Sequence, residues 1–162
     1  MAIAKHADRA AAAQAGGALL TVFELEERTY AVPVEATVEA VWMAALVPVP
    51  HAASWHAGML DLRGEVLPVV DLRARLGLGE RRVELDARIL VVRAGAHAGL
   101  IVDSITGVLE APVGANERER HGADRFVERV VRSSDGLIVV LDLDAVLSGL
   151  SGLEVLDEER AG

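Results

Sequence analysis

Residues 58–78 read GMLDLRGEVLPVVDLRARLGL, and this stretch decides the fold. The runs MLDL and VLPVV flank the pair Arg63-Gly64, which marks a tight bend between two short strands. Gly64 supplies the backbone freedom that such a bend needs. Pro68 cannot donate to a strand ladder, so its run belongs at an edge or a bulge. Asp71 has the chemistry of a helix N-cap, Leu72 and Leu76 share a helical face, and Gly77 is a stop. The stretch is therefore a hairpin that turns directly into a short helix. Arg63 is the wrong residue type for a core and suits a bidentate contact with a carboxylate or a backbone group. Asp61 and Asp71 are its internal candidates, and a partner surface is the alternative.

Outward from this hairpin the chain is a succession of short β-rich runs. LLTVFELEERTYAVPV from Leu19 gives two runs joined at Glu26-Glu27-Arg28, followed by VEAVW at 38–42 and LVPVP at 46–50. After the polar stretch 79–87 the runs resume as RILVVRA, AGLIVD and SITGVLEA. Residues 114–124 are charged and read as a solvated loop. FVERVVRS and LIVVLDL then form a last hairpin about Ser134-Asp135-Gly136, closed by a short helix in DLDAVLSGL. The order of elements occurs twice. Residues 22–41 lie over residues 91–110 without a gap, and VVDLRARL (69–76) echoes VLDLDAVL (140–147). Two similar small β-barrels packed together are the natural consequence. An Ala-rich tail over residues 1–17, a β domain over 18–152 and an acidic tail over 153–162 complete the organisation.

Composition removes most functional classes. The 162 residues carry a net charge of −9, which lacks the basic footprint of a nucleic-acid binder. No cysteine is present, so disulfides, thiolate metal sites and cysteine nucleophiles are excluded together. No apolar run approaches a membrane span, and the first residues lack a continuous signal-peptide core, which reads as a cytoplasmic protein without direct membrane insertion. His51 and His56 stand five apart around Trp55, a poor metal spacing, and the other histidines are scattered. The aspartates fall at strand ends and helix starts, where caps and turns account for them. No nucleophile elbow, P-loop or dinucleotide fingerprint occurs. The residues thus point to a binding module and not an enzyme, with no cofactor.

The 58–78 stretch resembles the CheW family, the coupling proteins of bacterial chemosensory arrays, through Gly58, Leu62, Arg63, Gly64, Pro68, Val69, Val70, Asp71, Leu72 and Arg73. Asp61 stands where that family usually has Asn. AGLIVDSITGVLEAP resembles a second family segment through Gly99, Val102, Asp103, Val108 and Leu109, and the opening hairpin with Tyr30 and the closing DGLIVVLDLDAVL resemble two more. The resemblance covers about residues 19 to 150 in order. It implies a mainly β fold of two intertwined five-stranded SH3-like barrels with short helices. It also implies a non-enzymatic adaptor in the cytoplasm at membrane receptor arrays, joining the cytoplasmic tip of a chemoreceptor to the regulatory domain of a CheA-type histidine kinase. Carried over by position, Val38, Glu39, Gly58, Leu62, Arg63 and Gly64 would serve the receptor, and Gly99, Val102 and Asp103 the kinase. Three alternatives accompany this reading: the same adaptor in a pathway for pili, gliding or gene expression, a small β-barrel enzyme or ligand-binding protein, and the detached regulatory module of a kinase.

Overall fold

The computed structural model describes residues 17–79, 86–111, 116–117 and 124–150. The expected tails lie outside these residues, Gly17 excepted, as does most of the charged 114–124 stretch. The described chain is mainly strand. The first half contains β1 (Ala18–Leu25), β2 (Arg28–Pro33), β3 (Thr37–Trp42), β4 (His56–Leu62), β5 (Glu65–Asp71) and the one-turn helix α1 (Leu72–Arg75). The second contains β6 (Arg88–Ala94), β7 (Ala96–Val102), β8 (Ser104–Ala111), the two-residue β9 (Asn116–Glu117), β10 (Val127–Ser133), β11 (Gly136–Leu141) and α2 (Leu143–Val146). The LVPVP run is the exception to the expected strands: it contributes only a single bridge, Val47 to Met59. With prolines at 48 and 50, this run lacks the donors for a continuous ladder.

Two sheets form, in the orders β3-β6-β7-β5-β4 and β8-β1-β2-β11-β10-β9. Position for position they are the same arrangement, with β9 as a small addition to the second. Each half starts with an antiparallel hairpin, β1–β2 or β6–β7, and sends its third strand to the other half. Thus β3 pairs with β6, and β8 pairs with β1, each across a β-bulge. Each half then ends in a hairpin, β4–β5 or β10–β11, whose second strand runs parallel to β7 or β2. The two lobes are intertwined: each sheet joins the opening hairpin of one half to the third strand and closing hairpin of the other. Along each sheet the ladder is open between its edge strands, so the barrels are SH3-like without being closed.

Burial explains how so few aromatics make a core. Ile89, Val91 and Ile101 point into the first lobe with Leu60, Leu67 and Val69. Leu20, Val22 and Ala31 point into the second with Val131, Ile138 and Val140. The alternate residues of the same strands, among them Phe23, Val32, Leu90, Leu100 and Val102, meet in a third cluster shared by both lobes. Central strands are therefore covered on both faces and read as near-continuous apolar runs. The two one-turn helices seal this shared cluster through Leu72, Leu143, Val146 and Leu147. Asp71 and Asp142 cap them, accepting from the amides of Ala74 and Ala145, and their own amides donate to the carbonyls of Trp55 and Phe126.

Polar links across the lobes concentrate on α1. Arg73 donates to Asp103 Oδ2 at 2.7 Å and lies 3.7 Å from Glu26 Oε1. The same Asp103 oxygen accepts from the Glu26 amide, so one carboxylate ties α1, the β1–β2 turn and the end of β7. Arg75 lies over the Trp55 ring at 3.9 Å and the Phe126 ring at 5.0 Å. Its guanidinium donates to the carbonyls of Ala145, Val146 and Ser148, which closes the C-terminal end of α2. Burial, and then the nearby charge of Arg125, lower the Arg75 pKa.

Gly99 and Val102 belong to this interior. Val102 is 0% exposed. A Cβ on Gly99 would stand 2.6 Å from Ile89 Cγ2. Gly99→Val is therefore expected to lower unfolding free energy by about 2 kcal/mol or more through overpacking, measured by urea denaturation. A loss below about 0.5 kcal/mol would contradict that packing. His56 gives a pH prediction. It is buried, neither ring nitrogen has a partner among the described residues, and burial lowers its pKa. The unfolded chain takes up the proton more readily than the folded one. Stability present above about pH 6.5 is then lost as the pH falls toward the folded pKa. Wild type is expected to lose more thermal stability between about pH 7.5 and 5 than His56→Asn does.

Candidate functional site: an exposed seam on the first lobe

The bend in the 58–78 stretch is a two-residue hairpin turn, with φ 51° at Arg63 and 86° at Gly64. Both central residues are left-handed, the geometry that matches the twist of the flanking strands. The Gly64 amide donates to Asp61 Oδ1 at 3.1 Å, which anchors the turn. Asp61 is thus used by the backbone, and Asp71 by the helix cap. Arg63 pairs with neither. Its guanidinium donates to Glu39 on β3, across the open side of the sheet between β3 and the β4–β5 hairpin. The arginine side chain is 71% exposed and the glutamate 19%. The pair therefore ties the rim of the lobe together and leaves most of the guanidinium facing solvent.

The residues assigned to the receptor divide between surface and interior. Val38 is the extra residue of the β3 bulge and is 45% exposed beside Glu39. Val38, Glu39, Arg63 and Gly64 thus form one surface along the seam. Leu62 is half-buried against the interior of the first lobe. Gly58 is buried: it has φ 145°, and a Cβ there would meet the Val47 carbonyl oxygen at 2.8 Å. Its small size lets the 46–47 segment pass over β4, which is a packing role. None of the three residues assigned to the kinase is free on the surface. Gly99 and Val102 lie in the core, and Asp103 is held between Arg73 and the Glu26 amide.

The sequence reading missed several exposed apolar side chains on the first lobe: Trp42 at 60%, Val47 at 67% and Val66 at 52%. Trp42 is stacked under the Arg88 guanidinium at 3.2 Å. The signal for Val66 was available, because strand alternation from the buried Leu67 places it outward. Among the described residues no group of three or more His, Asp or Glu stands close enough to hold a metal ion. No helix among them is long and apolar enough to cross a membrane.

Two strand-exchanged β lobes that hold an arginine-tipped hairpin on an exposed rim define a small protein-binding β module. The CheW-like domain family matches residues 20–151, and the chain belongs to that family. Chemotaxis protein CheW of Rhizobium meliloti (strain 1021) is 29% identical over 140 residues, spanning 81% of this chain and 88% of the relative. Protein FrzA of Myxococcus xanthus is 36% identical over 108 residues, spanning 65% and 68%. The solved structure of scaffolding protein TtCheW from Thermoanaerobacter tengcongensis superposes with a TM-score of 0.76 at 29% identity, over 82% of this chain and 93% of that one. The chain is accordingly a chemosensory coupling adaptor of CheW type.

The turn itself can be tested. A Cβ on Gly64 would have no atom within 4 Å, so any cost of substitution there is torsional. Gly64→Val is expected to lower stability by about 1–2 kcal/mol, seen as a lower urea midpoint at unchanged slope. An unchanged midpoint would mean that the turn does not need the left-handed conformation.

Proposed function

We propose that this chain couples the cytoplasmic tip of a chemoreceptor to the regulatory domain of a CheA-type histidine kinase, without catalysis of its own. The receptor contacts the first-lobe seam at Val38, Glu39, Arg63 and Gly64. The observation that carries this placement is the exposed guanidinium at a rigid hairpin tip, beside exposed apolar side chains on one lobe. An arginine fixed by one internal carboxylate keeps donors in hand for a second acceptor and loses little conformational freedom on docking. The kinase contacts the second lobe through exposed residues, not through the interior Gly99 and Val102 or the internally paired Asp103. In this role the protein works in the cytoplasm, at receptor arrays.

The mechanism is linkage. A scaffold that binds both partners converts a receptor's conformational bias into a bias of the kinase, by as much as its affinity differs between their states. The shared core and the two arginines of α1 make the lobes one body, so the two docking faces hold a fixed relation. A second reading keeps the adaptor and changes the output to pili, gliding or gene expression. The likeness to FrzA favours carrying it, and the identity of the kinase recovered with the chain decides between them.

Co-sedimentation with receptor-containing membranes and the CheA-type kinases of the same organism tests the proposal. Wild type is expected to bring a kinase down with the receptors. Arg63→Glu is expected to stay folded and to weaken receptor association by about 2 kcal/mol, roughly thirtyfold. Equal sedimentation of wild type and variant removes Arg63 from the interface. Failure of the wild type to bring down either partner removes the coupling role.

A further inference from the structure

The two lobes repeat one arrangement but treat its seam differently. In the first lobe the β4–β5 turn places Arg63 against Glu39, the residue that follows the β3 bulge. In the second lobe the corresponding turn, closed by the pair Ser133 and Gly136, places Ser134 where the first has Arg63. The residue opposite Val22 on β8 is Gly107, where the first lobe has Glu39 opposite Val91. Both members of the ion pair are thus replaced by small residues. What remains is an open cleft of about 250 Å³ between β8 and the β10–β11 turn. A Cβ on Gly107 would meet no atom within 4 Å, so nothing of the described chain occupies the space beside it.

The lining of the cleft says what fits. Val22 and Ile138 are buried and give it an apolar floor, and Leu137 is 54% exposed at its edge. Glu24 and Asp135 bring carboxylates to the same cleft, and both residues are exposed. The Asp135 amide donates to Ser133 Oγ, and Ser104 Oγ lies 3.4 Å from Glu24 Oε2. An aliphatic stem with a cationic head matches this combination: the stem covers the floor and the head meets the acidic rim. The first lobe supplies such a side chain from its own turn, and the second does not.

We propose that the second-lobe cleft is a docking site for an arginine side chain presented at a hairpin tip by a partner protein. The chain's net charge of −9 favours the approach of such a partner. This deepens the adaptor reading by giving the chemistry of a partner's anchor, but its test needs only the chain and a peptide. The probe is a cyclised peptide of the chain's own LDLRGEVL, residues 60–67, titrated into the isotope-labelled protein and followed by amide chemical shifts. Shifts are expected at Gly107, Ser134 and Leu137. Replacing the peptide's arginine by norleucine is expected to abolish them, and the Glu24→Gln/Asp135→Asn double variant to weaken binding about fivefold. Both substitutions are at exposed positions and leave the fold in place. Shifts confined to another face, equal binding of the norleucine peptide, full binding by the double variant, or no binding at millimolar peptide would each overturn the proposal. None of these outcomes bears on whether the wild type co-sediments with receptors and kinase.

Discussion

Coverage of the central strands on both faces is the constraint on which the rest of this structure depends. β1, β2, β6 and β7 each send alternate side chains into their own lobe and into the cluster between lobes. Removing either lobe would expose a row of Val, Leu and Ile on the other, at about 25 cal/mol for each Å² of apolar surface uncovered. The chain therefore behaves as one cooperative body although its topology shows two sheets. This also accounts for a composition of 52% hydrophobic residues with only 3% aromatics. Branched aliphatic residues pack well on a pleat buried from both sides, and large rings are not needed to fill it.

Polar groups then refine what burial has fixed. The two one-turn helices are too short to be stable alone, and each is held by an aspartate cap and a main-chain bond to the residue before its hairpin. α1 alone carries arginines toward the other half. At the matching place of α2 stands Val146, so the repeat is broken where Arg75 crosses to cap its counterpart. The same logic governs the rims. One turn carries a long cation and the other small polar residues, and the same strand order thereby presents one filled seam and one empty one.

Much of this was legible in the sequence because the signals are local. Arg63-Gly64 between apolar runs, Asp71 before Leu72, and the echo of residues 69–76 in 140–147 report turns, caps and repetition, each determined within a few residues. What was not legible is non-local. The destination of β3 is the edge of β6, and nothing in the residues of β3 names it. Gly99 and Val102 matched a recognisable segment, yet strands covered on both faces show no alternation from which to tell a docking residue from a core one. Arg63 had two carboxylates nearby in sequence, and the turn and the cap had already engaged both. Its partner Glu39 becomes a neighbour only when the sheet forms. The second-lobe cleft is a matter of absent side chains, and small residues at Ser134 and Gly107 look unremarkable until the other lobe is laid beside them.

Each sheet draws its opening hairpin from one half of the chain and its other main strands from the other half. A half-length chain with this pattern would own an opening hairpin with no sheet to join, and a third strand and closing hairpin that lack the hairpin they pair with. Two such chains would complete each other with twofold symmetry, so the single half is a self-complementary unit whose folded form is a dimer. Joining the halves covalently makes that assembly independent of concentration, because the second half is always present at a high local level. It also frees the two halves to diverge. An obligate dimer of identical halves would have carried the same seam twice, whereas the joined chain can close one and open the other.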